Sequence, residues 1–265
     1  MTILDEIVAY KREYLKERRA KLPQTTWENM CSTSKYKPLN FPGAIRRKSN
    51  DGVRIIAEVK KASPSAGNIA DEADPVAQAI DYARGGAQAI SILTDKKYFK
   101  GNEDYLSLIR DAVDIPVMRK EFMIDPYQVY EARALGADAL LLIAAVLSTH
   151  ELRDLLGLTQ SLGMEALVEI YEADELEKIE GLSIQALGVN NRNLKTFEVS
   201  LDHTAEILNL LPGNVRDQVA FVSESGIKTI DDVEYMKGLG VDAILVGETL
   251  MRSEDPAKLI SQFTQ

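Results

Sequence analysis

Three stretches of the chain repeat one phrase: Gly85-Gly86-Ala87-Gln88-Ala89-Ile90-Ser91-Ile92-Leu93, Gly136-Ala137-Asp138-Ala139-Leu140-Leu141-Leu142-Ile143 and Gly240-Val241-Asp242-Ala243-Ile244-Leu245-Val246-Gly247. In each, a helical pattern stops at glycine, turns briefly and enters an apolar run. Such runs are buried on both faces, which implies a parallel sheet covered by helices. Weaker copies fill the gaps, giving strands near 54–60, 89–94, 115–120, 139–145, 165–170, 186–191, 219–224 and 243–247, each followed by a helical pattern. An open doubly wound sheet and a closed (β/α)8 barrel both alternate in this way. Arg54 to Gln265 leaves about 26 residues per unit, near the compact end of the range for TIM barrels. A Rossmann sheet would also need Gly-x-Gly-x-x-Gly after its first strand, where this chain has Ala62-Ser63-Pro64-Ser65-Ala66-Gly67. The expected fold is α/β, a (β/α)8 TIM barrel forming a single domain over residues 1–265.

Residues 1–50 fall outside the rhythm. Ile3, Leu4, Ile7, Val8, Tyr10, Tyr14 and Leu15 recur at helical spacing on a highly charged segment, so an N-terminal helical extension capping one end of the barrel is expected. Pro23 to Pro42 reads as a connector, with a short helix around Trp27 to Met30.

A net charge of −10 argues against a nucleic-acid or anionic-membrane partner. The longest uncharged apolar run, Ala139 to Leu147, is half of the ~18 residues that mark a span. Acids in Met1-Thr2-Ile3-Leu4-Asp5-Glu6 leave no signal-peptide pattern, and the lone Cys31 excludes a disulfide framework. A cytoplasmic, monomeric protein without a Cys- or His-rich metal site is expected. Only His150 and His203 are present, so acid–base chemistry falls to Lys, Glu and Asp.

Barrel active sites lie at the carboxyl ends of the strands, and alternate side chains point inward. Glu58 and Lys60 share one parity against Ala57 and Val59. Lys120 falls with Met118 and Phe122, Glu169 opposes Val168 and Ile170, and Asn190 shares a parity with Arg192. Any one of these residues reads equally well as an ordinary strand-end salt bridge. Together they bring charge from four strands into one interior, at a cost on the order of several kcal/mol unless they are paired or serve a ligand. Arg119 and Glu121 take the opposite parity, with no partner evident in the sequence. Ser223-Glu224-Ser225-Gly226-Ile227 and Val246-Gly247-Glu248-Thr249-Leu250 follow the last two strands, the recurring phosphate position of this fold, although tight turns would need the same glycines. Ser63-Pro64-Ser65-Ala66-Gly67 is either a substrate-covering loop or a solvated turn.

The stretches Ile56-Ala57-Glu58-Val59-Lys60-Lys61-Ala62-Ser63-Pro64-Ser65, Leu93-Thr94-Asp95-Lys96-Lys97-Tyr98-Phe99, Arg119-Lys120-Glu121-Phe122-Met123, Leu167-Val168-Glu169, Asn190-Asn191-Arg192-Asn193-Leu194, Ser223-Glu224-Ser225-Gly226 and Gly247-Glu248-Thr249-Leu250 occur in this order. In these motifs the chain resembles the indole-3-glycerol phosphate synthase family of tryptophan biosynthesis over nearly its whole length. The resemblance implies a sugar-phosphate substrate, 1-(2-carboxyphenylamino)-1-deoxyribulose 5-phosphate, closed to an indole with loss of CO2 and water and without a cofactor. It assigns Lys120 as general acid, Glu169 to the dehydration step, Glu58 to positioning, and Lys60 to substrate anions or as a rival acid. Asn190 would hold a hydroxyl, and Arg192 the carboxylate or a catalytic Glu. Ser63 would contact substrate, and phosphate would rest on Lys60, Ser225, Gly226, Gly247 and the Glu248 N–H. Phe99, Phe122 and Leu142 would wall the aromatic ring, with core packing the alternative for each. Glu121, Tyr171 and Ala66 depart from the family's usual Asp, His and Lys.

Two other readings compete. A phosphoribosylanthranilate isomerase-like barrel would share the phosphate loops but needs a Cys/Asp pair, and Cys31 lies in the leader. A silent barrel serving as an interaction module would be expected to have lost Lys120, Glu169 or Glu58.

Overall fold

Gly86, Gly136 and Gly240, the turning points of the repeated phrase, have φ of 95°, 92° and 79°, a backbone that any β-carbon would oppose. Each feeds a strand. The structure, a computed structural model, describes residues 2–48, 51–211 and 213–264, so Met1 and residues 49–50 of the expected extension, and Gln265, lie outside it. The strands are β1 (Arg54–Val59), β2 (Ala62–Ser63), β3 (Gly67–Asn68), β4 (Ala89–Leu93), β5 (Val117–Lys120), β6 (Ala139–Ile143), β7 (Glu165–Ile170), β8 (Ala186–Asn190), β9 (Ala220–Glu224) and β10 (Ala243–Val246). From β4 onward each pairs in parallel with the next, β1 pairs with β4, and β10 returns to β1 in the register Arg54↔Ala243, closing an eight-stranded barrel. Pro116 has no N–H for the ladder, so β5 begins later than its apolar pattern suggests. β2 and β3 form a small antiparallel hairpin in the loop after β1, an element the sequence pattern does not announce.

Outward-facing strand residues such as Ile55, Ile90, Leu140, Val168 and Leu187 pack beneath the helices in one core, while Ile56, Met118, Leu141, Leu167, Val222 and Leu245 fill the barrel in another. Helices α4 (Pro75–Arg84), α5 (Lys96–Phe99), α6 (Asp104–Arg110) and α7 (Pro126–Ala134) cover the first half of the barrel, and α4, α5 and α7 each start on an Asp side chain that accepts a backbone N–H. Among the described residues no helix is long and apolar enough to cross a membrane.

The leader forms α1 (Ile3–Lys21), α2 (Gln24–Ser32) and α3 (Phe41–Ile45), numbered ahead of the barrel helices in chain order. It differs from the expected cap on one end, because it reaches both. Ile3, Leu4 and Ile7 of α1 border the mouth at the carboxyl ends of the strands. Phe41 and Ile45 of α3, both fully buried, fill the opposite end among Ala89, Ala139, Ala186, Ala220 and Ala243. Those five alanines open their strands and leave space for the two larger side chains. Between the two contacts, α2 lies on α7, with Trp27 edge-on to Tyr127 at 6.4 Å.

Candidate active site

A cavity of about 630 Å³ opens at the carboxyl ends of the strands. Glu58, Lys60, Ser63, Phe99, Lys120, Phe122, Glu169, Asn190, Arg192, Ser225, Gly226, Gly247 and Glu248 all line it. Leu142 does not. Alternation along β6 turns Leu141 and Ile143 into the cavity and sends Leu142 outward, fully buried beneath the helices, so the ring-wall expectation moves from Leu142 to Leu141.

Lys120, at the end of β5, is the hub. Its Nζ lies 3.1 Å from Glu169 Oε2 on β7 and also donates to Glu224 Oε2 on β9. Asn190 Nδ2 on β8 donates to the other Glu169 oxygen at 3.1 Å, while Asn190 Oδ1 accepts the Arg192 N–H at 3.0 Å. Burial works against the Lys120 charge, yet Glu224, Glu169 and Glu58 together hold its ammonium above the ordinary lysine range. Glu224 moves the other way for a carboxyl: burial raises it to about 8, opposed by Lys120 and reinforced by Glu169 and Glu58. Sequence reasoning passes over Glu224 because it sits inside a stretch that reads as an anion loop. The alternation Ala220, Val222, Glu224 carries the signal.

Lys60 Nζ pairs with Glu58 Oε1 at 2.6 Å, on the last turnings of the first strand. A β-carbon on Gly247 would lie 3.1 Å from Lys60 Nζ and collide with Glu58 Oε1, so the bare glycine lets the end of β10 approach this pair. On the neighbouring loop Ser225 and Gly226 have φ of 70° and 88° and turn the chain sharply after β9. Asn191 fixes that turn by donating to the Ser225 carbonyl at 3.1 Å and to Ser223 Oγ at 2.9 Å. Arg192 donates to the Phe197 carbonyl at 3.3 Å, and among the described residues it forms no ion pair with a glutamate. Phe99 and Phe122 face each other with centroids 6.0 Å apart. Ser63 Oγ accepts the Ala66 N–H at 3.1 Å within the hairpin loop.

The family model for indole-3-glycerol phosphate synthase matches residues 4–263. The chain belongs to this family. It is 45% identical over 262 residues to the indole-3-glycerol phosphate synthase of Acetivibrio thermocellus, covering 98% of both chains. It is 46% identical over 255 residues to that of Acidithiobacillus ferrooxidans, covering 96% of this chain and 95% of the other. Among solved structures it is similar to 3-hexulose-6-phosphate synthase from Salmonella typhimurium, with a TM-score of 0.64 at 13% identity over 80% of this chain and 98% of that one. Thiamine phosphate pyrophosphorylase from Pyrococcus furiosus gives a TM-score of 0.59 at 16% identity over 84% and 96%. At such identities these two likenesses speak to the barrel alone. An indole-3-glycerol phosphate synthase is a carboxy-lyase of tryptophan biosynthesis, and this is the reading the cavity must accommodate.

Proposed function

We propose that this cavity closes 1-(2-carboxyphenylamino)-1-deoxyribulose 5-phosphate to indole-3-glycerol phosphate, with Lys120 as general acid. The ring carbon that bears the carboxylate attacks the substrate ketone, forming a C–C bond, and the ketone oxygen takes a proton. Loss of CO2 returns its bonding electrons to the ring. Departure of the new hydroxyl as water, with removal of a proton from the adjacent CH2, completes the indole. No oxidant or cofactor is needed.

The position of Lys120 between two carboxylates carries this reading. Neighbouring negative charge keeps the ammonium protonated for ring closure, in a site where a positioned acid is worth roughly 10²–10⁴ in rate. Glu224, whose carboxyl burial raises, accepts from the same ammonium and can exchange a proton with it. Glu169, oriented by Asn190, takes the proton lost in dehydration, and Glu58 holds Lys60 against the Gly247 turn, where phosphate would rest with the N–H groups of Ser225, Gly226 and Glu248. Arg192, which forms no ion pair with a glutamate among the described residues, is left for the substrate carboxylate. Ser63, Phe99, Phe122 and Leu141 close around the aryl ring. The chain is taken to act as a cytoplasmic monomer with no nucleic-acid or membrane partner.

Mixing purified protein with this substrate and following indole fluorescence tests the reading. Turnover should fall at least about 100-fold in Lys120→Met and in Glu169→Gln. A silent wild type, or full activity in both variants, would overturn it.

A further inference from the structure

Lys11 is a lysine on an apolar stripe. It shares one face of α1 with Ile7 and Leu15, and all three are buried. Its Nζ sits 2.8 Å from Asp95 Oδ2 and 3.0 Å from Glu121 Oε1, and the three side chains are 3%, 0% and 3% exposed. This is where Glu121 finds the partner that its outward parity leaves unexplained. Burial disfavours the charge, but Glu121 and Asp95 keep the ammonium above its usual range.

Both carboxylates also hold the backbone of a ring-wall segment. Asp95 caps α5, accepting the Tyr98 N–H at 2.7 Å, and Phe99 is the next residue. Glu121 Oε1 accepts the Phe122 N–H at 2.8 Å, while its Oε2 accepts Thr94 Oγ1 at 3.1 Å. One ammonium from the leader therefore ties together the two loops that present Phe99 and Phe122 to the cavity.

We propose that Lys11 is a positioning residue for recognition of the aryl ring, setting the gap between Phe99 and Phe122 through Asp95 and Glu121. The inference rests on the proposed function, because it assigns those two rings to the substrate's benzoate. α1 contains an internal control. Arg18 pairs with Glu103 at 2.8 Å and Glu131 at 2.9 Å, further along the helix. It docks the same helix one partner further from the rings: Glu103 reaches α5 only through the Lys96 side chain, at 2.8 Å, whereas Asp95 and Glu121 hold the backbone of the phenylalanine segments themselves.

The test is titration calorimetry with two probes, inorganic phosphate and the substrate with its ketone reduced to an alcohol, alongside steady-state kinetics. In Lys11→Met the reduced analogue should bind at least tenfold more weakly while phosphate binding stays within twofold. KM should rise more than kcat falls, and Lys11→Arg should recover most of the loss. Arg18→Met should lower Tm and leave affinity for the analogue unchanged. Should the unpaired carboxylates prevent Lys11→Met from folding, the triple variant Lys11→Met/Asp95→Asn/Glu121→Gln removes the bridge without leaving buried charge, and it should show the same ring-selective loss. The proposal is overturned by unchanged binding of the analogue, by parallel weakening of analogue and phosphate, or by an equal loss in Arg18→Met. A wild type that binds neither probe and does not turn over substrate refutes the proposed function instead.

Discussion

Gly188 on β8 and Glu224 on β9 occupy one space between them. A β-carbon on Gly188 would strike Glu224 Oε1, and that oxygen is buried with no hydrogen-bond partner among the described residues. Gly188→Ala should therefore push the carboxyl off Lys120 and lower kcat about 100-fold, since misplacement on the order of 1 Å has that effect. Circular dichroism should show an unchanged fold. The raised Glu224 carboxyl also has a cost in stability. The folded state binds this proton more tightly than the unfolded chain, so the group favours folding at acid pH and loses that contribution as pH climbs from its ordinary value of 4.5 to about 8. Lys120, raised in the same cluster, is charged in both folded and unfolded chains over this range and leaves the slope to Glu224. Glu224→Gln removes the titration and should stabilise the fold relative to wild type, seen as a higher Tm, more at pH 8.5 than at pH 5, by a difference in unfolding free energy on the order of a few kcal/mol. Calorimetric scans at the two pH values would show it, and equal Tm differences at both would refute the assignment.

At the scale of elements, α3 is a plug with no chemistry. Phe41→Ala removes a fully buried ring from the alanine layer and should cost ~3–5 kcal/mol in denaturant unfolding. With the mouth at the other end of the barrel, kcat/KM should stay within about twofold, provided the variant is assayed folded. The strands that α3 plugs were legible in the chain because a parallel strand buried on both faces must be a continuous apolar run, and the Gly86, Gly136 and Gly240 turns mark where three of those runs begin. The cluster of Glu58, Lys120, Glu169 and Asn190 was legible for a related reason: period-2 alternation sorts inward from outward. Leu142 comes from the resemblance and not from alternation, which along β6 turns Leu141 inward instead. Contacts between distant segments have no such period. Nothing in the spacing of Phe41 and Ile45 says that five alanines, scattered from Ala89 to Ala243, leave a hole for them. The partners of Arg119 and Glu121 were equally hidden: Arg119 meets Glu131 at 2.7 Å and Thr94 at 3.2 Å, and Glu121 meets a lysine over a hundred residues earlier. A lysine at the centre of the stripe Ile7, Lys11, Leu15 was the one visible sign.

Over the whole molecule, a chain of net charge −10 must admit a substrate that carries both a carboxylate and a phosphate. Lys60, Lys120, Arg192 and Lys228 gather on the cavity wall, so attraction is short-range while the wider field repels. Salt screens the long-range part first. Raising ionic strength from about 20 to about 200 mM should leave kcat/KM flat or raise it modestly, opposite to the fall seen when a protein's field steers its ligand in. A steep fall in stopped-flow or steady-state rates would show that the local cations dominate at distance. The two-ended leader has a further consequence, for the order of events during synthesis. Chains generally fold from the N-terminus as they emerge, yet the leader finds its partners at different times: α1 and α2 meet residues 95–131, whereas the seat of α3 is complete only with the last two strands. Phe41 and Ile45 wait for Ala220 and Ala243, and Lys11 waits for Glu121. The helix that leaves the ribosome first can therefore settle at the mouth once the first half of the barrel has been made, while the plug at the far end waits for the last strand.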